Sequence, residues 1–377
     1  MKPEDALREL KKLREKEPSY LRGEVLGSMT TEPLWFAVEA FKMFINTNLN
    51  DIELFRGTYS LERDCIKEIS KLFSGSGYGF LTYGGTESNI TALYILRELR
   101  RGSVVVAPET AHSSIRKACR ILKLRLIEVE VDRDFNPPVD AMCDTLRRYE
   151  GEVVAAVMTA GTTDVGNVDP VDEFCEMCGD SGVPVHVDAA YGGFLAPFLR
   201  RHGCRIPKFD FSLKNVYSIT VDLHKLVTPI PGGALLLRSR ELEELATFES
   251  PYMPLGRQRT LLGTRTGGIA ASAWAVLKVL GFEGLEELAL DLLKRARYLA
   301  GRLRDIGLRV VKEPVLPIVA FEVSKREVVI RELWKKRLFV YPSAIPDVVR
   351  VVVGPHITYR HIDKFIDELA KVVNSIR

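Results

Sequence analysis

Six short apolar runs, separated by stretches with helical patterning, constrain the fold of this chain more than any other feature. The runs are rich in valine, alanine and leucine, and they span residues 104–107, 126–131, 153–159, 183–187, 216–221 and 234–237. Strands that alternate with helices in this way are typical of a doubly wound, mostly parallel sheet. We therefore predict an α/β fold in which both faces of the sheet are covered by helices.

Two of these predicted strands end in groups that can carry chemistry. The run 183–187 is followed by Asp188, and the run 216–221 is followed by Asp222 and then Lys225. The carboxyl ends of parallel strands form the edge at which open α/β sheets bind ligands. An amine and a carboxylate at this edge suit pyridoxal 5′-phosphate (PLP), since the amine can bond its aldehyde and the carboxylate can keep its ring nitrogen protonated. The alternative is that the Asp and the Lys form a buried ion pair or are two unrelated surface groups, and one of these residues alone would favour that alternative.

A third motif, Gly84-Gly85-Thr86, precedes a predicted helix that runs to about residue 100. Glycines allow close backbone approach, and the free amides and dipole of a helix N-terminus favour an anion such as a phosphate. Thr86 is also a suitable N-cap residue, so an ordinary capped turn is the alternative.

The composition excludes several classes of function. The 377 residues are 46% hydrophobic and 27% charged, with a net charge of +3, which describes a soluble globular protein without nucleic-acid partners. Residues 1–5 lack an apolar signal core and no apolar run looks long enough to cross a bilayer, so we expect a cytoplasmic protein without membrane contacts. We expect the six cysteines to be free thiols and no metal to bind, because the C-x-x-C pair at 175–178 lies in a helix-like run without a second pair.

The patterning also suggests a division of the chain into three parts. Residues 1–50 form a helical N-terminal segment, and its first helix carries Leu7, Leu10 and Leu13 on one side, which could pack on a neighbouring subunit. Residues 51–280 form the large α/β domain. Residues 281–377 form a small C-terminal α+β domain, preceded by an irregular stretch rich in proline, glycine and arginine at 241–268.

Several motifs, taken in order, resemble one known family. They are Gly-Gly-Thr-Glu-Ser-Asn (84–89), Ala-His-Ser-Ser-Ile-Arg-Lys-Ala (111–118), Gly-Thr-Thr (161–163), His-Val-Asp-Ala-Ala (186–190), Asp-Leu-His-Lys (222–225) and Leu-Gly-Thr-Arg-Thr-Gly (262–267). Together they resemble the PLP-dependent group II amino-acid decarboxylases of fold type I, over nearly the whole chain. The segments 47–49, 54–58 and 350–356 resemble most the archaeal branch of L-tyrosine/L-aspartate decarboxylases. One departure is Leu223, where many relatives carry a proline.

The resemblance implies a role for each matching residue. Lys225 would be the lysine that bonds the cofactor, and Asp188 would pair with its ring nitrogen. His112 would stack on the ring; a histidine that caps a helix is the alternative, which its place after a strand end disfavours. The remaining cofactor contacts implied by the family are Gly85, Thr86, Thr163, Ala190, Asp222, His224 and Thr264. Thr264 would reach the phosphate of the partner subunit, which implies a homodimer with shared active sites.

The substrate contacts are implied in the same way. Arg350 would bind a substrate carboxylate in the bidentate geometry that arginine offers, although it could also be a surface residue at a strand start. Asn48 and Thr30 are further candidates for substrate binding. Tyr252 is the candidate for the acid that protonates Cα after CO2 leaves, and a packed loop residue is its alternative.

The expected reaction is decarboxylation of an L-amino acid. L-Aspartate giving β-alanine for coenzyme A biosynthesis is the leading hypothesis, followed by L-tyrosine giving tyramine and then by L-glutamate. A PLP-dependent carbon–carbon lyase of the sphingosine-phosphate lyase type is a more distant alternative, because it would need an extra phosphate site and usually a membrane anchor. A PLP-fold protein kept as a binding or structural dimer is another, which the intact Lys225 and Asp188 disfavour.

Overall fold

Seven strands form the central sheet of the computed structural model, which describes residues 1–376. Their order across the sheet is β1-β7-β6-β5-β4-β2-β3. Strand β7 runs antiparallel to both of its neighbours, and the other six strands are parallel to one another. The strands are β1 Tyr78–Thr82, β2 Val104–Pro108, β3 Arg125–Val129, β4 Val153–Thr159, β5 Val185–Asp188, β6 Val216–Asp222 and β7 Gly233–Leu237. The predicted, mostly parallel α/β sheet is confirmed.

Helices cover both faces of this sheet. The helices of the described residues, including those that lie elsewhere, are α1 Pro3–Lys16, α2 Trp35–Met43, α3 Arg56–Lys71, α4 Gly85–Leu99, α5 Ser113–Leu122, α6 Val139–Arg148, α7 Val171–Cys178, α8 Ala196–Arg201, α9 Arg240–Glu244, α10 Gly268–Asp305, α11 Arg326–Lys335 and α12 Tyr359–Ile376. Side chains of β2 alternate between two hydrophobic cores, with Val104 and Val106 in one and Val105 and Ala107 in the other. A strand buried on both faces must be apolar throughout, which explains the continuous runs in the sequence.

A second, smaller sheet lies in the C-terminal part of the chain. Its antiparallel strands have the order β10-β12-β11, with β10 Ile318–Glu322, β11 Tyr341–Pro342 and β12 Val348–Val352. Helices α11 and α12 and the last turns of α10 pack with it around a separate core. A short hairpin, β8 Thr247–Glu249 and β9 Arg257–Arg259, lies within the irregular stretch.

Helix α10 links the two cores. The sequence predicts two helices here, and the structure joins them across a kink at Gly281, which has a φ of 59° that glycine adopts easily. The part up to Leu293 packs in the large core, and the part from Ala296 onwards packs in the small one. Contrary to the expectation from the sequence, α10 is by length and composition long and apolar enough to cross a bilayer, but half of its most apolar window is buried inside the protein. The three-part division of the chain stays a prediction.

Charged side chains cover the outer edge of β1, which is the end strand of the sheet. The N–H of Leu81 donates to Glu62 Oε1 at 3.0 Å, and Arg265 Nη1 donates both to that oxygen, at 2.6 Å, and to the Leu81 carbonyl, at 2.5 Å. Glu243 and Arg63 bind the N–H and carbonyl of Gly79 in the same way. Because side chains already bind these backbone N–H and carbonyl groups, fewer of them are free to pair with a strand of another chain.

The cysteines correct one prediction. Cys143 on α6 and Cys178 on α7 form a disulfide, with their Cα atoms 5.5 Å apart, whereas all six cysteines were expected to be free. The two helices pack side by side, and this brings together residues that are 35 positions apart. The other four cysteines are free. Cys178 therefore pairs outside the C-x-x-C sequence that contains it.

Candidate active site

A cavity of about 490 Å³ opens at the carboxyl ends of β4, β5 and β6. Nine of the ten predicted cofactor-binding residues line it: Gly85, Thr86, His112, Thr163, Asp188, Ala190, Asp222, His224 and Lys225. They come from five separate parts of the chain, and the sheet brings them together because its six parallel strands all end at this edge. The structure thus places the predicted amine and the predicted carboxylate in one cavity.

Asp188 is the last residue of β5 and is 4% exposed. Asn89 Nδ2 donates to its Oδ2 at 2.7 Å, and the N–H of Ala190 donates to its Oδ1 at 3.1 Å. These two bonds hold the carboxylate in one orientation at the cavity wall. A fixed, buried carboxylate of this kind suits a cationic N–H of a ligand.

Lys225 lies in the turn that follows β6. Its Nζ is 2.9 Å from Asp222 Oδ2, and His224 Nε2 is 3.7 Å from the same oxygen. Burial lowers the pKa of His224, which outweighs the opposite effect of the Asp222 carboxylate. A largely neutral imidazole and a lysine amine therefore sit at the end of β6, next to a carboxylate that can orient both.

The glycine turn before α4 comes very close to this group. Gly84, not Thr86, is the N-cap residue, and its φ of 134° is one that side chains rarely allow. A Cβ on Gly84 would lie 2.9 Å from His224 Cε1, and one on Gly85 would lie 3.0 Å from Asp222 Oδ2. The N–H of Ser88 makes the first intrahelical bond, to the Gly84 carbonyl, so the preceding amides remain available to an anion.

His112 closes the cavity from the N-terminus of α5. Its Nδ1 accepts the N–H of Ser114 at 3.2 Å and lies 2.9 Å from the Ser114 hydroxyl. The residue therefore caps α5 and lines the cavity at once, although the two roles were treated as alternatives. Burial lowers its pKa against the opposing effect of Asp188, which favours a neutral ring.

The residues that line the cavity fit PLP. Four buried polar atoms on lining residues have no hydrogen-bond partner in the described part of the chain: Glu87 Oε1, Thr159 Oγ1, Asp222 Oδ1 and His224 Nδ1. Buried polar groups are rarely left unpaired in proteins, so they indicate a polar ligand. A phosphate would find free amides and glycines at one end, and a ring would find His112 and Asp188 at the other.

Five predicted residues lie away from the cavity lining of this chain. Arg350 contacts a lining residue, because its Nη1 donates to the carbonyl of Thr163 at 2.7 Å while its Nη2 donates to the carbonyl of Gly27 at 3.2 Å. Thr30 bonds Tyr20 and Ser28, and the Asn48 side chain accepts the N–H of Asn50. The other two are Thr264 and Tyr252, and Tyr252 is 81% exposed between β8 and β9. Their roles in binding and catalysis stay predictions.

Sequence reasoning missed several lining residues. Thr159 ends β4 as Asp188 ends β5, so the rule of polar strand ends could have found it. Glu87 and Asn89 lie inside a motif that was recognised but were given no role. Met29 and Leu261 come from distant loops without a recognisable pattern. In residues 1–376, no group of three or more His, Cys, Asp or Glu residues could hold a metal ion.

Comparison with known proteins gives a consistent result. A family model described as the pyridoxal-dependent decarboxylase conserved domain matches residues 36–324. The probable L-tyrosine/L-aspartate decarboxylase of Methanothermobacter thermautotrophicus is 40% identical, over 93% of this chain and 98% of that protein. The L-aspartate decarboxylase of Thermococcus kodakarensis is 36% identical, over 99% of this chain and 98% of that protein.

Solved structures show the same fold. The sphingosine-1-phosphate lyase of Burkholderia pseudomallei superposes with a TM-score of 0.90 at 25% identity, covering 99% of this chain and 91% of the other. The glutamate decarboxylase of Lactobacillus brevis superposes with a TM-score of 0.89 at 23% identity, covering 100% of this chain and 93% of the other. At such identities the likeness to the glutamate decarboxylase speaks for the fold alone.

Proposed function

Because the chain belongs to the family of pyridoxal-dependent amino-acid decarboxylases, we propose that it removes the α-carboxylate of L-aspartate and releases β-alanine. The observation that carries the choice of substrate is the full-length similarity to proteins named L-aspartate decarboxylase, such as the one from Thermococcus kodakarensis. Supply of β-alanine for coenzyme A is the use that we propose for the product.

The site residues divide the chemical work between them. PLP, when bound, supplies the electron sink that accepts the electron pair of the broken Cα–carboxylate bond. Lys225 would offer the amine that attaches the cofactor, and Asp188 would keep the ring nitrogen protonated, which favours the uptake of electrons by the ring. His112 would contact the ring, while Gly85 and the other residues of the α4 N-terminus would hold the phosphate.

Arg350 is our candidate for binding a substrate carboxylate. Its side chain is buried and donates to the carbonyl of Thr163, a residue that lines the cavity, and its Nε has no hydrogen-bond partner among the described residues. Burial lowers its pKa, but an arginine remains charged at neutral pH. A buried cation next to the cavity would favour an acidic substrate, and Asn48 and Thr30 remain candidates for further contacts.

Tyr252 is our candidate for the acid that protonates Cα. Its side chain is largely exposed to solvent and is not packed in its loop. To reach an active site, it would need a movement of the β8–β9 hairpin, or it would have to act in the site of a partner subunit. Tyr252→Phe should keep cofactor binding but lower the yield of amine relative to side products. An unchanged yield would remove Tyr252 from the mechanism.

We also propose that the protein is a homodimer with shared active sites. Helix α1 buries none of its residues, and Leu7, Leu10 and Leu13 on its apolar side are all largely exposed. An exposed apolar stripe of this kind marks an interface more often than a free surface. Light scattering of the purified protein should give twice the chain mass of 42.3 kDa, and a monomer would contradict the proposal.

L-Tyrosine is the second candidate substrate, since the relative from Methanothermobacter is named for both amino acids. The purified, PLP-loaded enzyme should be given L-aspartate, L-tyrosine and L-glutamate separately, and CO2 and amine should be measured. We expect the highest kcat/KM with L-aspartate, and a preference for L-tyrosine would replace the main proposal by the second. Lys225→Ala is the control, because it should abolish release of CO2 from every substrate.

A further inference from the structure

A buried chain of hydrogen bonds runs behind the cavity and joins the two residues expected to contact the cofactor ring. Asn89, which is 1% exposed, lies at its centre. Its Nδ2 donates to Asp188 Oδ2 at 2.7 Å and to Ser114 Oγ at 2.8 Å, and its Oδ1 lies 3.0 Å from His186 Nε2. Ser114 Oγ in turn lies 2.9 Å from Nδ1 of His112.

The direction of each bond follows from the carboxylate. An ionised Asp188 can only accept, so it must face the amide nitrogen of Asn89, and the amide oxygen must then face His186. His186 Nε2 therefore carries a proton and donates it to that oxygen. Its Nδ1 accepts from the hydroxyl of Ser218, at 2.8 Å. Complete burial lowers the pKa of His186 to about 4, which agrees with a neutral ring that donates on one side and accepts on the other.

The second arm of the chain reaches His112. The Ser114 hydroxyl oxygen accepts from Asn89, so its own proton is free to be donated to His112 Nδ1. That nitrogen also accepts the N–H of Ser114. The proton of a neutral His112 must then sit on Nε2. The N–H of Ser114 already sets this tautomer, and Asn89 supports it by leaving the proton of the Ser114 hydroxyl free for the same nitrogen. One amide group therefore orients Asp188 and supports the capped state of His112.

We propose that Asn89 is a positioning residue for the cofactor ring, acting through Asp188 on the ring nitrogen and through Ser114 on His112. The inference rests on the proposed roles of Asp188 and His112. An amide suits this place because it offers two donors and one acceptor, whereas an aspartate offers no donor and a leucine neither group. His186 and Ser218 support it by holding the amide oxygen in place.

The test compares two cofactors. Asn89→Leu keeps roughly the volume of the side chain but removes all of its hydrogen bonds, and the dissociation constant of PLP should rise about tenfold or more. The same constant should rise much less for an analogue of PLP in which the ring nitrogen is replaced by C–H, because Asp188 has no partner there. Equal losses for both cofactors would mean that Asn89 only supports the fold, and would overturn the inference.

Asp188→Ala separates the inference from the proposed site. If Asp188→Ala weakens PLP more than the analogue but Asn89→Leu does not, the inference alone is wrong. If Asp188→Ala weakens both equally, the proposed contact with the ring nitrogen is wrong, and the inference with it. Asn167→Leu is the matched control, since this buried amide bonds Phe135 and Asn136 outside the chain of bonds. It should weaken both cofactors to the same extent.

A second pair of variants keeps the test decisive if Asn89→Leu does not fold. His186→Gln retains an N–H that can donate to Asn89 Oδ1, and His186→Met does not. We expect His186→Met to weaken PLP more than the analogue, and His186→Gln to restore most of the difference. If the two variants behave alike toward both cofactors, the orientation of Asn89 does not matter for the ring and the inference fails.

Discussion

Replacing Arg265 with methionine should destabilise the protein by about 3–5 kcal/mol, the usual consequence of leaving one partner of a buried ion pair alone. Arg265 is 1% exposed, and its Nη1 serves both the Glu62 carboxylate and the Leu81 carbonyl. After the change, the buried Glu62 would keep only the N–H of Leu81. With an unfolding entropy of about 2 cal/mol/K per residue, the loss corresponds to a fall in Tm of about 4–6 °C.

The assay is thermal unfolding of the cofactor-free protein, followed by circular dichroism. The double variant Glu62→Gln/Arg265→Met is the informative comparison, because it removes the buried charge but keeps an acceptor for the N–H of Leu81. It should lose less stability than Arg265→Met alone, since an uncharged amide is easier to bury than an unpaired carboxylate. If the double variant is no more stable than the single one, or if Arg265→Met shifts Tm by less than about 1 °C, the reasoning about the edge of β1 is wrong.

Three further predictions follow from other parts of the structure. Gly85→Ala should lower the affinity for PLP about tenfold, because the new methyl group would lie 3.0 Å from Asp222 Oδ2. Gly57→Ala is the control: the new carbon has nothing within 4 Å, so the affinity should be unchanged in the same titration. Burial raises the pKa of Asp169 to about 7, so the folded state loses stability as the pH rises from the ordinary carboxyl pKa to about 7, and the loss stays constant above that pH. Asp169→Asn should therefore gain up to about 4 kcal/mol of stability relative to the wild type between pH 4 and pH 8. A difference in Tm between the two proteins that does not vary with pH would contradict this. Cys143→Ser opens a loop of 35 residues and should lower the free energy of unfolding under oxidising conditions by about 4 kcal/mol, with little difference from the wild type once both are reduced; an equal gap in reductant would show that the disulfide is not the cause.

The sheet and much of the site could be predicted because both depend on local patterns. A strand buried on both faces has to be apolar along its length, and a group at its carboxyl end has to lie near the ends of its neighbours. These two rules place Asp188 and Lys225 in one cavity without any knowledge of long-range contacts. The glycines before α4 are required by the close approach of the turn to His224, and they are visible in the sequence for the same reason.

Other features depend on contacts that no local pattern records. Strand β1 contains Gly79, with a positive φ, and was not predicted, because it gains its stability from β7 and from charged side chains at its edge. The pairing of Cys143 with Cys178 follows from the packing of α6 on α7. The role of Asn89 depends on three partners on two other elements, Ser114 on α5 and His186 and Asp188 on β5, although the residue itself lies in a recognised motif.

The part of α10 that follows the kink at Gly281 takes part in both hydrophobic cores, and this has a consequence for how the protein melts. Residues up to Leu293 pack in the large core and those from Ala296 pack in the small one. Unfolding of either core would therefore disturb a helix that also stabilises the other core. Calorimetry should therefore record one heat-absorption peak rather than two. The protein would behave as a single cooperative unit even though its sheets are separate.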